Sequence, residues 1–194
     1  MPLHPKVKVL IAVGVLAVAV TLALLARPTW GLIKAWRADN LAAEARAHLD
    51  EGDLEYAWEK AQTAYLLNPI NAGITRTVAQ VYNFADPSRA VDFWAETYKL
   101  SGDREDLVHL IEAAINAHKL SLAAEKLALL QPESPGDGMP LFLQARLAAA
   151  SQNIPDAILY ASQAVEKEEV PQDAHYFYVQ LTQFSPDPEV RRAG

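Results

Sequence analysis

The chain has 194 residues, 51% of them apolar, with 8 Gly and no Cys; this excludes a disordered or fibrous chain, structural disulfides, thiol catalysis and Cys-based metal sites. Its net charge of −7 is unevenly spread: residues 1–37 hold five bases and no acid, so residues 38–194 set 12 Lys and Arg against all 24 acids, a formal −12. An acidic body without a Lys/Arg stripe repels phosphate backbones and argues against nucleic-acid binding.

The first predicted element is residues 9–26, VLIAVGVLAVAVTLALLA, 18 residues without a charge. At about 1.5 Å per residue it extends about 27 Å, close to a bilayer hydrocarbon core. Lys6 and Lys8 flank one end; Arg27, Trp30, Lys34 and Trp36 flank the other. No small-x-small pair precedes a cut at Arg27, so the expectation is an uncleaved transmembrane anchor, residues 1–30, rather than a signal peptide. Short N-terminal tails usually stay inside, which places the body extracytoplasmically, at a bacterial inner membrane. Ala12, Ala19, Ala23 and Ala26 fall near one face and form a candidate membrane seam for a partner helix.

Beyond the anchor a register recurs. Ala57, Ala90, Ala123, Ala157 and Val190 lie at intervals of 33, 33, 34 and 33 residues. Sixteen residues earlier come Leu41, Ile74, Leu107, Leu141 and Ala174; twelve earlier, Ala45, Val78, Ile111, Ala145 and Tyr178; nine earlier, His48, Val81, Ala114, Ala148 and Leu181. Four and seven later come Ala61, Trp94, Leu127 and Ala161, then Ala64, Thr97, Leu130 and Ala164. A period near 34 with two helices per unit is the signature of stacked helical hairpins. Turn formers separate the helices within a unit: Glu51-Gly52-Asp53, Ala85-Asp86-Pro87 and Gln152-Asn153-Ile154-Pro155. Asn68-Pro69, Ser101-Gly102-Asp103 and Gln131-Pro132 close second helices. The Ala at 57, 61 and 64 makes sense where a second helix must nest closely against its own first helix and the next hairpin.

On these residues the chain resembles the tetratricopeptide repeat (TPR) family. Ala45, Ala57, Ala64 and Pro69 of the first unit, and Ala145, Ala157, Ala161 and Ala164 of the fourth, sit where that family places small residues and a closing proline. The second unit departs from it with Trp94 in a small-residue column, and the third has a shortened second helix. The resemblance implies an all-α fold: after the anchor, a right-handed α-solenoid over 31–194, with units at about 38–71, 72–103, 104–135, 138–171 and an incomplete 172–194. Because the fifth unit breaks off in its second helix, the chain is expected to continue or to be covered there.

The five His share no i, i+3 or i+4 pair, and no G-x-S-x-G, P-loop or G-x-G-x-x-G motif occurs. The expectation is a non-enzyme without cofactor, metal or small-molecule substrate. His48 is read as a satisfied core residue, and the 132–140 loop as a linker. In the TPR family the first helices line a concave groove. The resemblance implies groove positions at Asp39, Ala42, Arg46, Leu49 and Asp50; Ala72, Thr75, Ala79, Tyr82 and Asn83; Glu105, Val108, Glu112, Ile115 and Asn116; and Met139, Phe142, Arg146, Ala149 and Ala150. From these, with Arg76, the candidate partner-binding residues are Arg46, Asp50, Arg76, Tyr82, Asn83, Glu112, Asn116, Phe142 and Arg146. Asp50, Asn83 and Asn116 are read as a polar file for a peptide backbone, and Arg46 and Arg146 as holders of acidic groups. The family's carboxylate clamp is absent, since its positions hold Ala42, Arg46, Arg76, Glu105 and His109. The expected function is a membrane-anchored scaffold that binds a protein partner and supports a membrane-associated complex. The alternatives are the front module of a longer enzyme or signalling protein, or a complex subunit held through its anchor.

Overall fold

The computed structural model describes residues 5–183, with side chains at 14–17, at 20 and from 30 onward. Its helices are α1 (Pro5–Asp50), α2 (Leu54–Leu67), α3 (Ala72–Ala85), α4 (Pro87–Ser101), α5 (Arg104–Asn116), α6 (Leu120–Leu127), α7 (Met139–Ala150), α8 (Ile154–Val165) and α9 (Gln172–Gln183). The expected all-α helical repeat is what the described residues form.

Local chemistry sets the helix ends. Asn71 Oδ1 accepts from the backbone N–H of Gly73 at 2.8 Å and Ile74 at 3.2 Å, and Asp86 does the same for Ser88 and Arg89. Pro87 and Pro155 occupy first-turn positions, where a missing N–H costs nothing. Gly52 turns α1 into α2 with φ +78°, and the corresponding turns of the third and fourth hairpins use His118 (φ 54°) and Gln152 (φ 62°). The second hairpin has no such residue, because Asp86 both ends α3 and caps α4.

Packing follows the repeated columns. Ala57, Ala90, Ala123 and Ala157 are all completely buried, as are Ala45, Ile111 and Ala145 on the first helices. Each second helix packs on its hairpin partner and on the first helix of the next hairpin. The first helices also touch one another, α1 on α3 and α5 on α7. Among the described residues no comparable contact joins α2 to α4, α4 to α6 or α6 to α8, nor α3 to α5 or α7 to α9, so the first helices approach one another in two pairs. Cross-hairpin ion pairs reinforce the stacking, two of them on buried carboxylates. Arg76 grips the fully buried Asp106 through Nε and Nη2, each at 2.7 Å, and Arg104 reaches Asp137. Burial opposes ionisation of Asp106, yet the hydrogen bonds from Arg76 and Ser101 outweigh it and hold the carboxyl below its usual range.

Three expectations need correction. Among the described residues no helix is long and apolar enough to cross a membrane. This overturns the single-pass anchor at 9–26 and, with it, the bacterial inner-membrane location and the extracytoplasmic body. The uncharged run is only part of α1, whose 46 residues carry charges on both sides of it. Instead α1 runs through Arg27, Pro28 and residue 30 into the first repeat without a break. The seam residues Ala12, Ala19, Ala23 and Ala26 lie outside the described side chains.

Second, the 132–140 loop is tied down. Asp137 is 9% exposed and accepts from the backbone N–H of Glu133 and Met139, while Gly138 N–H donates to Glu169 O at 2.8 Å. A Cβ at Gly138 would lie 3.0 Å from Ala164 O, which explains the glycine there. Third, His48 stacks on Tyr56 (ring centroids 5.5 Å apart), but its buried Nδ1 makes no hydrogen bond and has only the Glu51 and Asp53 carboxylates at 3.9 and 3.8 Å.

Candidate groove on the first helices

Helical spacing fixes which side chains of the first helices share a face. On α1, Arg46 and Asp50 are one turn apart; on α5, Glu105, His109, Glu112 and Asn116 follow at steps of four, three and four; on α7, Phe142 and Arg146 are one turn apart. These faces open into two hollows. The first, about 350 Å³, lies between α1, α3 and α5 and is lined by Arg46, Leu49, Asp50, Gln80, Asn83, Phe84, Trp94 and His109. The second, about 480 Å³, lies between α5, α7 and α9; Val108, Met139 and Phe142 line it, with Arg104, Glu105, His109, Glu112, Glu133 and Asp173 among its polar residues.

His109 lines both hollows, at the head of a hydrogen-bonded chain. Its Nδ1 meets Glu112 Oε2 at 3.2 Å, Arg146 Nη1 donates to Glu112 Oε1 at 2.8 Å, and Arg146 Nη2 donates to Asn116 Oδ1 at 3.0 Å. Arg146 also sits 5.7 Å from the Phe142 ring centroid. The hydrogen bond to Glu112 raises the His109 pKa above the usual histidine value against the opposing effect of burial. Burial likewise disfavours the Glu112 carboxylate, but His109 and Arg146 outweigh it and lower its pKa.

The candidate residues therefore divide. Arg46, Asp50 and Asn83 line the first hollow, and Phe142 and Glu112 the second. Arg46 Nη1 donates to Thr77 Oγ1 at 2.8 Å, and Asn83 Oδ1 accepts from Trp94 Nε1 at 3.1 Å, so both already hold neighbouring helices in place. Arg146 and Asn116 bind within the scaffold, and Arg76 serves Asp106 and Asp103. Tyr82 lies elsewhere, in a hollow of about 450 Å³ between α2 and α4. There its ring stacks on Phe93 at 5.1 Å and its hydroxyl accepts from Arg89.

Residues outside that set also shape the groove. Trp94 comes from a second helix and passes its indole through to lie 4.6 Å from the His109 ring; its one sequence signal was a large residue in a small-residue column. Phe84, 67% exposed, edges the first hollow, and Asp173 from α9 edges the second. No group of three or more His, Asp or Glu among the described residues is placed to hold a metal ion.

No protein-family model matches the chain, and no curated protein does. Solved structures do. The MamA RS-1 ArsTM double mutant superposes with a TM-score of 0.63 at 14% identity, covering 81% of this chain and 89% of that one. MamA 41-end from Desulfovibrio magneticus RS-1 superposes with a TM-score of 0.61 at 15% identity, covering 75% of this chain and 84% of that one. At such identity the likeness shows the fold alone, and that fold is a TPR-type helical repeat.

Proposed function

We propose that this chain is a non-enzymatic TPR-type scaffold whose repeat domain, residues 31–194, holds a segment of a partner protein along its first helices and so supports the assembly or stability of a complex. The observation that carries this reading is the pair of adjacent hollows that share His109. A single segment laid along the first helices contacts both. Its binding residues are pre-positioned, because Arg46, Asn83, Glu112 and Arg146 are each fixed by bonds to a neighbouring helix. Pre-positioned side chains lose little rotamer entropy on binding, which removes one of the costs that an interface must offset. Exposed Phe84 and half-exposed polar groups around an aromatic floor have the composition of a protein interface rather than of a closed small-molecule site.

The test is crosslinking capture with the full chain and a variant carrying Asp50→Lys and Phe84→Ala, both exposed side chains at the rim of the first hollow. Loss of the captured protein with unchanged helicity and melting temperature supports the reading. Equal capture by the two chains sinks it.

A further inference from the structure

Within that scaffold reading, and resting on it, we infer that the second hollow selects a basic partner segment, seating one large apolar side chain on its floor with Lys or Arg on either side. The floor is apolar and preformed: Val108 and Phe142 are each 5% exposed, and Phe177 stands edge-on to Phe142 at 5.8 Å. The rim is unbalanced. Arg104 is committed to Asp137 and, at 3.6 Å, to Glu133. Glu112 is matched by Arg146 and His109. Glu105 and Asp173 remain as exposed carboxylates on the same hollow, and no ion pair among the described residues engages either.

The first hollow differs. It carries one cation, Arg46, and one carboxylate, Asp50, besides His109, so it has no net preference of this kind. A second copy of the chain is disfavoured as the occupant of the acidic hollow, because residues 38–194 carry a formal −12 and repel their like. A cationic segment is attracted by the same field and meets two carboxylates at the rim.

The experiment uses the full chain and three fluorescein-labelled peptides: Gly-Ser-Lys-Leu-Phe-Lys-Leu-Lys-Ser-Gly, its counterpart with Glu for every Lys, and its counterpart with Ser for Leu and Phe. Anisotropy is read against native protein, a Glu105→Gln, Asp173→Asn double variant and a Glu55→Gln variant, an exposed α2 carboxylate outside both hollows. The expected result is that the first peptide binds best and weakens about five- to tenfold with the double variant, as the loss of two exposed charge contacts implies. Glu55→Gln should change its affinity less than twofold. The preference overturns if the Glu peptide binds equally well, if the double variant binds as native does, or if none of the three peptides binds. Partner capture that still depends on Asp50 and Phe84 would then leave the scaffold reading standing, whereas its absence would remove both.

Discussion

The first and second hairpins occupy the same register with opposite materials. In α2 the buried positions 57, 61 and 64 are all Ala, and α1 nests directly on that strip. In α4 the equivalent positions are Ala90, Trp94 and Thr97, also buried, with Trp94 only 1% exposed. Close backbone approach holds the first hairpin together. In the second, a large ring takes up the volume and sends its indole N–H to Asn83 and its face to His109. The repeat therefore constrains where a side chain points more tightly than how large it is. Where the chain has used a large one, the residue crosses from the packing layer to the wall of the groove.

Substituting Trp94→Ala should break that comparison most severely. It removes the largest fully buried side chain and orphans Asn83, at a cost of about 4 kcal/mol, and it should also enlarge the first hollow. Chemical denaturation checks the stability; a loss under about 1 kcal/mol would mean that the second hairpin closes up as the first does. Next comes Arg76→Met. It leaves the fully buried Asp106 without its cation and should cost about 3 kcal/mol at neutral pH. Because the folded pKa of Asp106 is depressed, its contribution exists above the unfolded carboxylate pKa and is lost as pH falls through the folded one. The native–variant gap should therefore narrow below about pH 4.

Ala61→Leu probes the other hairpin by overfilling it. A cost of about 2 kcal/mol, read by denaturation, fits a strip set by close approach; a neutral effect would show slack between α1 and α2. His109 offers a pH test of the wall that Trp94 helps build. Its folded pKa is raised, so its stabilisation is fully present below about pH 6.5 and fades as pH rises through the folded value. Glu112, with a lowered pKa, keeps its own share down to about pH 4.5. The melting-temperature gap between native protein and His109→Gln should thus be larger at about pH 5.5 than at about pH 8, and a reversed order would exclude the ion pair. The smallest effect is expected from His118→Gly. It relieves a left-handed residue where the first hairpin already uses Gly52, for a gain of up to about 1 kcal/mol seen as a small rise in melting temperature.

Much of this was legible in the residues. Periodic burial at 57, 90, 123 and 157, with caps at Asn71, Asp86 and Asn153, follows from chemistry that acts within a few residues, so one chain suffices to read hairpins, turns and core faces. Hydropathy alone overreached at 9–26, where a run without charges looked like an anchor, whereas no helix among the described residues is long and apolar enough to cross a membrane. The groove was the least legible part. Spacing places Tyr82 beside Asn83 on α3, but only the neighbouring helices decide that Tyr82 stacks on Phe93 between α2 and α4 while Asn83 meets Trp94 in the first hollow. In the same way the Gly136-Asp137-Gly138 loop carries every mark of a linker, until Arg104 and Glu169 arrive from far along the chain to hold it. Local propensity and period thus determined the helices and their buried faces; which charges remain open to a partner was decided by pairings across some thirty residues, which exist only once the hairpins have stacked.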